Sequence, residues 1–289
     1  MTDFISHARA YGVLVEDMHP SSRIRRCGTV ENPHAKNGAY LWDGERGWVQ
    51  AWDGDGEFYW YDDPKRSEPT QADRDEWARR KLQREAEQLK LWGSTAIRCR
   101  MLMDTSKLGE HNYLHRKGLG HVLGNVLPDG ELIIPMYNVR AGALVGAQLI
   151  SWCPDEMKFN KKFVHGSRLK ESAMRIGPQN AREIILCEGF ATGHSIDAAL
   201  RQLKLRAAVI VCFNDSNMVT VSKLIKADRV YVFADNDKSE AGESAAQATG
   251  LNYCMSPVVG EDANDLHKRA GLMPLCSFIM TARRLKETA

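Results

Sequence analysis

An α/β fold preceded by a small β-rich module is what this sequence predicts, on three observations. Three short apolar runs, 183–187 (EIILC), 207–213 (AAVIVCF) and 229–234 (RVYVFA), each open into a helical pattern. Residues 1–63 alternate large aromatic side chains with Asn-Gly, Asp-Gly and Arg-Gly breaks. Between these parts lies a stretch dense in charge and strong helix formers. Buried runs alternating with amphipathic helices are the mark of βαβ units and a largely parallel sheet.

Taken in order, the first element is a helix near Phe4, followed by short antiparallel strands through NGAYLWDGERGWVQAWDGDGEFYWYDD. The aromatic set here, Trp42, Trp48, Trp52, Phe58, Tyr59 and Trp60, either fills the core of a module that needs bulky residues or stacks nucleic-acid bases. Residues 64–70 read as a loop. The following segment, 71–92, reads as an exposed connecting helix with Trp77, Leu82, Leu89 and Trp92 as sparse apolar points. That seam is too thin for a coiled coil. From about Ser94 the rhythm changes. Segments 131–138 (ELIIPMYN) and 143–151 (ALVGAQLIS) pair around an Arg-Ala-Gly turn, and the three βα repeats follow. A further strand is expected over 251–257. The chain thus divides into a module (1–63), a connector (64–92), a middle part (93–182) and an α/β part (183–289).

Apolar residues make up 43% of 289, enough for a sizeable core. No apolar run approaches the ~20 residues that span a bilayer, and the opening MTDFISHARA has no hydrophobic block. Both point to a cytoplasmic chain. Seven scattered cysteines without a Cys-x-x-Cys pair exclude a disulfide framework and a zinc ribbon. The absence of any Gly-Lys dipeptide excludes a P-loop. The net charge of +2 conceals a division. Residues 1–63 hold 6 basic and 11 acidic side chains, 64–92 hold 8 and 6, 93–182 hold 13 and 7, and 183–289 hold 12 and 13. A basic middle next to a part whose acids cluster suits an anionic ligand meeting a cation site.

Those acids stand where ligands bind in open α/β sheets, at the carboxyl ends of strands. The first run ends Cys187-Glu188-Gly189 and the third ends Ala234-Asp235-Asn236-Asp237; a later loop reads Gly260-Glu261-Asp262-Ala263-Asn264-Asp265. Carboxylates gathered this way repel one another unless a cation neutralises them, and oxygen ligands with open positions suit Mg²⁺ or Mn²⁺. A lone Asp-x-Asp is more often a solvated turn. Its pairing with Glu-Gly at a second strand end reverses those odds. His194 beside Ser195 makes no nucleophile pair, because adjacent helical residues diverge. His111, His115 and His121 lack zinc spacing. Asn214, Ser216 and Asn217 read as helix-capping residues or nucleotide contacts, with capping the better fit.

The succession ILCEGFATGHSI…VYVFADNDKSEAGESAA resembles the Toprim domain shared by bacterial-type DNA primases, topoisomerases and some nucleases. The flanking text YLHRKGL, IIPMYNVRAGALVGAQLI, MKFNKKFVHG and GEDANDLHKRAG is similar, in order, to the RNA-polymerase core of bacterial-type primases. Together with RIRRCGTVENPHAKNGAYLWDG it looks most like the primase-like Toprim proteins of phages and conjugative plasmids. The resemblance implies a Toprim-type parallel sheet flanked by helices within a primase core. It also implies RNA primer synthesis on a single-stranded DNA template from nucleoside triphosphates, in the cytoplasm of a bacterial host, with a separate replicative helicase as partner.

Position by position, it makes Glu188 a metal-site or acid–base residue and Asp235 and Asp237 metal ligands. Asp262 and Asp265 become the later acidic pair of the metal site, holding Mg²⁺ or Mn²⁺. Lys158 and Lys161 or Lys162 fall near template or nucleotide phosphates, and Arg116 or Lys117 lies in a basic-Gly element. The chain departs from such primases in lacking the Cys/His spacing of an N-terminal zinc module, so the resemblance does not extend to autonomous reading of template sequence. The competing functions are a metal-dependent Toprim nuclease and a non-catalytic DNA-binding replication or anti-defence accessory.

Overall fold

The structure, a computed structural model, describes residues 3–16, 18–62 and 70–284. The chain forms two compact units, Met1–Lys81 and Leu82–Ala289.

In the first unit, helix α1 (Phe4–Ala10) starts where the Asp3 carboxylate accepts a hydrogen bond from the Ser6 N–H at 2.7 Å. Four antiparallel strands follow in sheet order: β1 (Ser21–Cys27), β2 (Gly38–Trp42), β3 (Arg46–Ala51) and β4 (Tyr59–Asp62). Tyr40 pairs with Val49 and Val49 with Tyr59, so period-2 alternation carries Tyr40, Trp42, Val49 and Ala51 to one face, against Phe4 and Ala8. Phe4 stacks on Trp42 with centroids 4.7 Å apart. Gly47 is required there, since a Cβ would collide with the Phe4 ring and the Leu41 carbonyl. The aromatic set divides between core and surface. Trp42 and Trp48 are buried, whereas Trp52, Phe58 and Trp60 are exposed, Trp60 at 69%.

Helix α2 (Gln71–Thr105) runs thirteen residues past the predicted end at Trp92. In the second unit its closing turns carry Thr95, Cys99, Leu102 and Met103 at helical spacing, with Cys99 buried against Ile133, Ala147 and Val164 and the buried Thr95 hydroxyl donating to the His165 carbonyl at 3.1 Å. Packing therefore carries the helix on past Trp92. The predicted loop at 64–70 lies, apart from Thr70, outside the described residues.

After α2 come β5 (Lys107–Gly109), α3 (Asn112–Arg116), β6 (Gly124–Val126), β7 (Leu132–Asn138), β8 (Leu144–Cys153), β9 (Lys158–Phe163) and β10 (Ser172–Ile176). The α/β part continues with β11 (Glu183–Cys187), α4 (Phe190–Gln202), β12 (Ala207–Val211), α5 (Asp215–Ser222) and β13 (Arg229–Ala234). It closes with α6 (Ala241–Ala248), β14 (Asn252–Met255), α7 (Ala263–Ala270) and α8 (Leu272–Arg284). One sheet runs β14-β13-β11-β12-β10-β7-β6-β5, with β8 and β9 added beyond β7. The first four of these strands are mutually parallel, and β10 joins antiparallel.

The parallel strands read as unbroken apolar runs because both their faces are covered. Ile185, Cys187, Val209, Val211 and Phe233 meet α4, α7 and α8; Ile184, Leu186, Ile210, Val232 and Ala234 meet α5 and α6. Pro135, awkward inside a strand for want of an N–H, sits opposite Ala147 of β8. On its other side it falls between the stretches of β7 that pair with β6 and with β10, where no donor is needed.

Asn217, 3% exposed, ties α5 to the sheet. Its side-chain amide donates to the Ser172 and Cys212 carbonyls, each at 2.8 Å, and its oxygen accepts from the Glu171 N–H at 2.9 Å. Asn214 is the capping residue, accepting from the Asn217 N–H at 2.8 Å. Replacing Asn217 by Ala strands three buried backbone groups, so urea unfolding of Asn217→Ala is expected to show a loss of ~3 kcal/mol. Asn214→Ala, which removes one cap, is expected to lose ~1 kcal/mol.

Candidate active site

Strand β11 lies between β12 and β13, so the chain leaves it toward one side and later returns on the other. A reversal of this kind opens a crevice at the carboxyl ends of the strands. Three carboxylates stand there: Glu188 after β11, Asp215 at the start of α5 after β12, and Asp235 after β13. The parallel ladder continues past the strand ends. The Cys212 N–H donates to the Cys187 carbonyl at 2.8 Å and the Phe213 N–H to the Glu188 carbonyl at 2.9 Å, which fixes the first two loops side by side. Gly242, near the start of α6, admits the third, because a Cβ there would collide with the Asp235 carbonyl.

The site is short of positive charge. Burial pushes the Glu188 carboxyl up to about 8, helped by the charges of Asp215 and Asp235 and by a hydrogen bond shared with Asp215. Burial also pushes Asp235 up to about 7, with Asp262, Asp215 and Asp237 adding to it. Asp215 Oδ1 and Asp235 Oδ1 are buried without a hydrogen-bond partner. Lys161 is the cation whose field opposes the shift at both Glu188 and Asp235.

The remaining acids named from the sequence are engaged elsewhere. Asp237 caps α6: its Oδ1 accepts from the Ser239 N–H at 2.8 Å and from the Ser239 hydroxyl, and its Oδ2 from the Gly242 N–H at 3.0 Å. These donors hold its carboxyl below the usual range, the Ser239 side chain most strongly. Asp262 caps α7, accepting from the Asp265 N–H at 2.8 Å and from the Thr192 hydroxyl at 3.0 Å. Asp265 faces Lys117 Nζ at 3.4 Å. Among the described residues no three His, Cys, Asp or Glu side chains converge closely enough to hold one ion between them.

The basic residues divide in the same way. Alternation along β9 sets Phe159, Lys161 and Phe163 on one face and Lys158 and Lys162 on the other. Lys161 pairs with the buried Ile150 and lies 5.8 Å from the Tyr113 ring, on the side of the acids. Lys158 instead pairs with Glu156 at 2.7 Å on the surface. Arg116 stacks over Trp152, its guanidinium carbon 4.1 Å from the ring centre. The buried Asn264 amide donates to the Lys117 carbonyl at 2.8 Å and to the Ser195 hydroxyl at 2.9 Å, joining the start of α7 to the segment after α3. Ser195 is fully buried, and its hydroxyl also contacts His267 Nδ1 at 3.1 Å. The Tyr113 hydroxyl, 3% exposed and unpartnered, is kept protonated by burial and by the charges of Asp262 and Asp265.

Asp215 is the residue the sequence reading missed. The signal was present: it follows the second apolar run as Glu188 and Asp235 follow the first and third. The polar text around it, Asn214, Ser216 and Asn217, reads as a helix cap and hides it.

An all-oxygen donor set with two orphaned buried oxygens and two carboxyls driven toward neutrality fits a hard divalent cation. Mg²⁺ is held by one or two carboxylates and leaves its other positions to water and phosphate, which accords with the lack of a closed three-ligand cage.

Residues 183–272 match the family model described as Toprim domain, so the chain carries that domain on β11 to α7. No curated protein matches the chain. One chain of a solved bacteriophage T7 assembly is similar at 12% identity, over 61% of this chain and 91% of that one, with a TM-score of 0.39. That assembly is described as lagging-strand DNA polymerase interacting with primase domains of two gp4 subunits bound to an RNA/DNA hybrid and dTTP. No helix among the described residues is long and apolar enough to cross a membrane.

Proposed function

We propose that this protein is a DNA primase that makes short RNA primers on single-stranded DNA by divalent-metal-dependent nucleotidyl transfer. The observation that carries the reading is the set of half-buried, under-neutralised carboxylates Glu188, Asp215 and Asp235 with Lys161 beside them, at the switch point of a Toprim domain. Mg²⁺ or Mn²⁺, when bound, offsets charge on the attacking and leaving oxygens of the transfer. Glu188 and Asp235 hold the metal, Asp215 supplies the third half-buried carboxylate, and Asp262 adds its field from the start of α7. Asp237 acts by shaping the loop that presents Asp235, and Asp265 by orienting Lys117.

Lys161 binds the phosphates of the incoming triphosphate, the anion nearest the acids. Lys117, Lys158 and Lys162, within the basic stretch 93–182, hold the template backbone, which makes binding weaken steeply with salt. Burial and the charges of Asp215 and Asp235 raise the proton affinity of Glu188, which a bound cation would lower again. The primase-like text of residues 1–63 and 93–182 favours phage or plasmid replication in a bacterial cytoplasm, with the helicase on a separate chain.

The test uses labelled nucleoside triphosphates with single-stranded DNA and Mg²⁺ or Mn²⁺. Short template-dependent RNA products are expected. Metal-dependent loss of the template without products would make the protein a nuclease, and binding with neither outcome an accessory factor.

A further inference from the structure

A cleft of about 620 Å³ lies between α3 and the β8–β9 hairpin, walled by Glu110, His111, His115, Arg116, Trp152 and Phe159, a size usual for small-molecule sites. Its walls are flat, with the Arg116 cation on one side and Glu110 facing His115 Nε2 at 3.3 Å on the rim. The Arg116 guanidinium carbon lies 4.1 Å from the Trp152 ring centre and 5.7 Å from that of Phe159. Trp152 and Phe159 meet edge-on with centroids 5.0 Å apart, and His111 lies 5.9 Å from Phe159. Nucleobases stack on aromatic rings and guanidinium planes of this kind.

The cleft also has a direction. Phe159 and Lys161 share one face of β9, two residues or about 7 Å apart. The Tyr113 ring joins them, 5.4 Å from the Phe159 ring and 5.8 Å from Lys161 Nζ. Phe163, next on that face after Lys161, meets Phe213 with ring centroids 6.2 Å apart, and the Phe213 N–H donates to the Glu188 carbonyl at 2.9 Å. A continuous strip therefore runs from an aromatic slot bearing Arg116 through one lysine to the half-buried carboxylates. A nucleoside triphosphate has the complementary polarity, base at one end and phosphates at the other.

We infer that this cleft seats the base of the incoming nucleoside triphosphate, stacked on the Arg116–Trp152 pair, with its phosphates at Lys161. The inference deepens the proposed function and rests on it for the phosphate end alone. It assigns Trp152, Phe159 and His111 to substrate binding.

The experiment is calorimetric titration without template, using ATP, inorganic tripolyphosphate and a single-stranded oligonucleotide, each with Mg²⁺. Trp152→Ala is expected to weaken ATP at least tenfold and tripolyphosphate less than twofold, while Trp152→Phe keeps ATP within about threefold. Transferred nuclear Overhauser effects on wild-type protein add a readout independent of any variant, with the adenine ring protons expected to contact aromatic protons. Unchanged ATP affinity in Trp152→Ala, equal losses for ATP and tripolyphosphate, or losses confined to the oligonucleotide would overturn the assignment. Synthesis is not read here, so the two claims fail separately. ATP bound in this way by a protein that makes no primers leaves the cleft assigned and removes the primase. Primers from a Trp152→Ala protein with unaltered ATP affinity do the reverse.

Discussion

Primer synthesis by Asp235→Asn or Glu188→Gln protein is expected to fall about 10³-fold or more below wild type, with the circular dichroism spectrum unchanged. A metal ion offsetting charge on transferring phosphates supplies several kcal/mol, and each 1.36 kcal/mol is tenfold in rate. Both substitutions keep shape and remove the charge that would hold the ion. The same loss is expected for Asp215→Asn, and this separates the structural reading from one based on sequence motifs alone. Asp237→Asn serves as the contrast. Its carboxylate accepts three backbone N–H bonds at the start of α6, so the variant is expected to lose ~1 kcal/mol of stability and far less activity than Asp235→Asn. Initial rates of labelled nucleotide incorporation, set beside urea unfolding of each variant, decide the matter. Equal rates in wild-type and Asp235→Asn proteins would sink the assignment.

Without divalent metal, Asp235→Asn and Glu188→Gln are also expected to melt several degrees higher than wild type at pH 8.5, and close to wild type at pH 3. The folded protein holds these two carboxyls at about 7 and about 8, above their ordinary 3.8 and 4.5. Raised values mean that the folded state binds protons the unfolded chain has released, so stability falls as pH climbs from about 4 through 8. At pH 3 both groups are largely protonated in the folded and the unfolded chain alike, and an amide changes little. At pH 8.5 the wild type carries clustered half-buried charge that the amide relieves. One kcal/mol moves the melting temperature of a unit this size by about 2–4 °C. Melting curves at the two pH values check this, and a wild-type advantage at pH 8.5 would show that the carboxylates are already neutralised by groups of the chain itself.

The doubly covered sheet was readable from sequence because EIILC, AAVIVCF and RVYVFA leave no polar face, and such strands need helices on both sides. With the sheet identified, the rule for strand ends singled out Glu188 and Asp235 before any geometry was known. What could not be read depended on side-chain direction. Lys161 and Lys162 are equivalent in sequence, and only the register of β9 against β8, with Lys161 opposite Ile150 and Lys162 opposite Leu149, assigns one of them to the acids. Asp237 and Asp262 are metal ligands by the family resemblance, yet each is also placed to cap the helix that follows it, and local backbone donors lie within its reach. The end of α2 was misjudged for a related reason. Cys99, Leu102 and Met103 are too sparse to signal a helix until Ile133 and Val164 are there to meet them.

Titration of the protein with Mn²⁺ at pH 7.5, followed by the loss of the free-ion electron paramagnetic resonance signal, tests the central claim most directly. The account predicts saturable binding by wild type, binding weakened at least tenfold in Asp235→Asn and in Asp215→Asn, and near-wild-type binding in Asp237→Asn. Equal Mn²⁺ affinity in wild-type, Asp235→Asn and Asp215→Asn proteins would contradict it, because the half-buried carboxylates at the switch point would then not be the metal site.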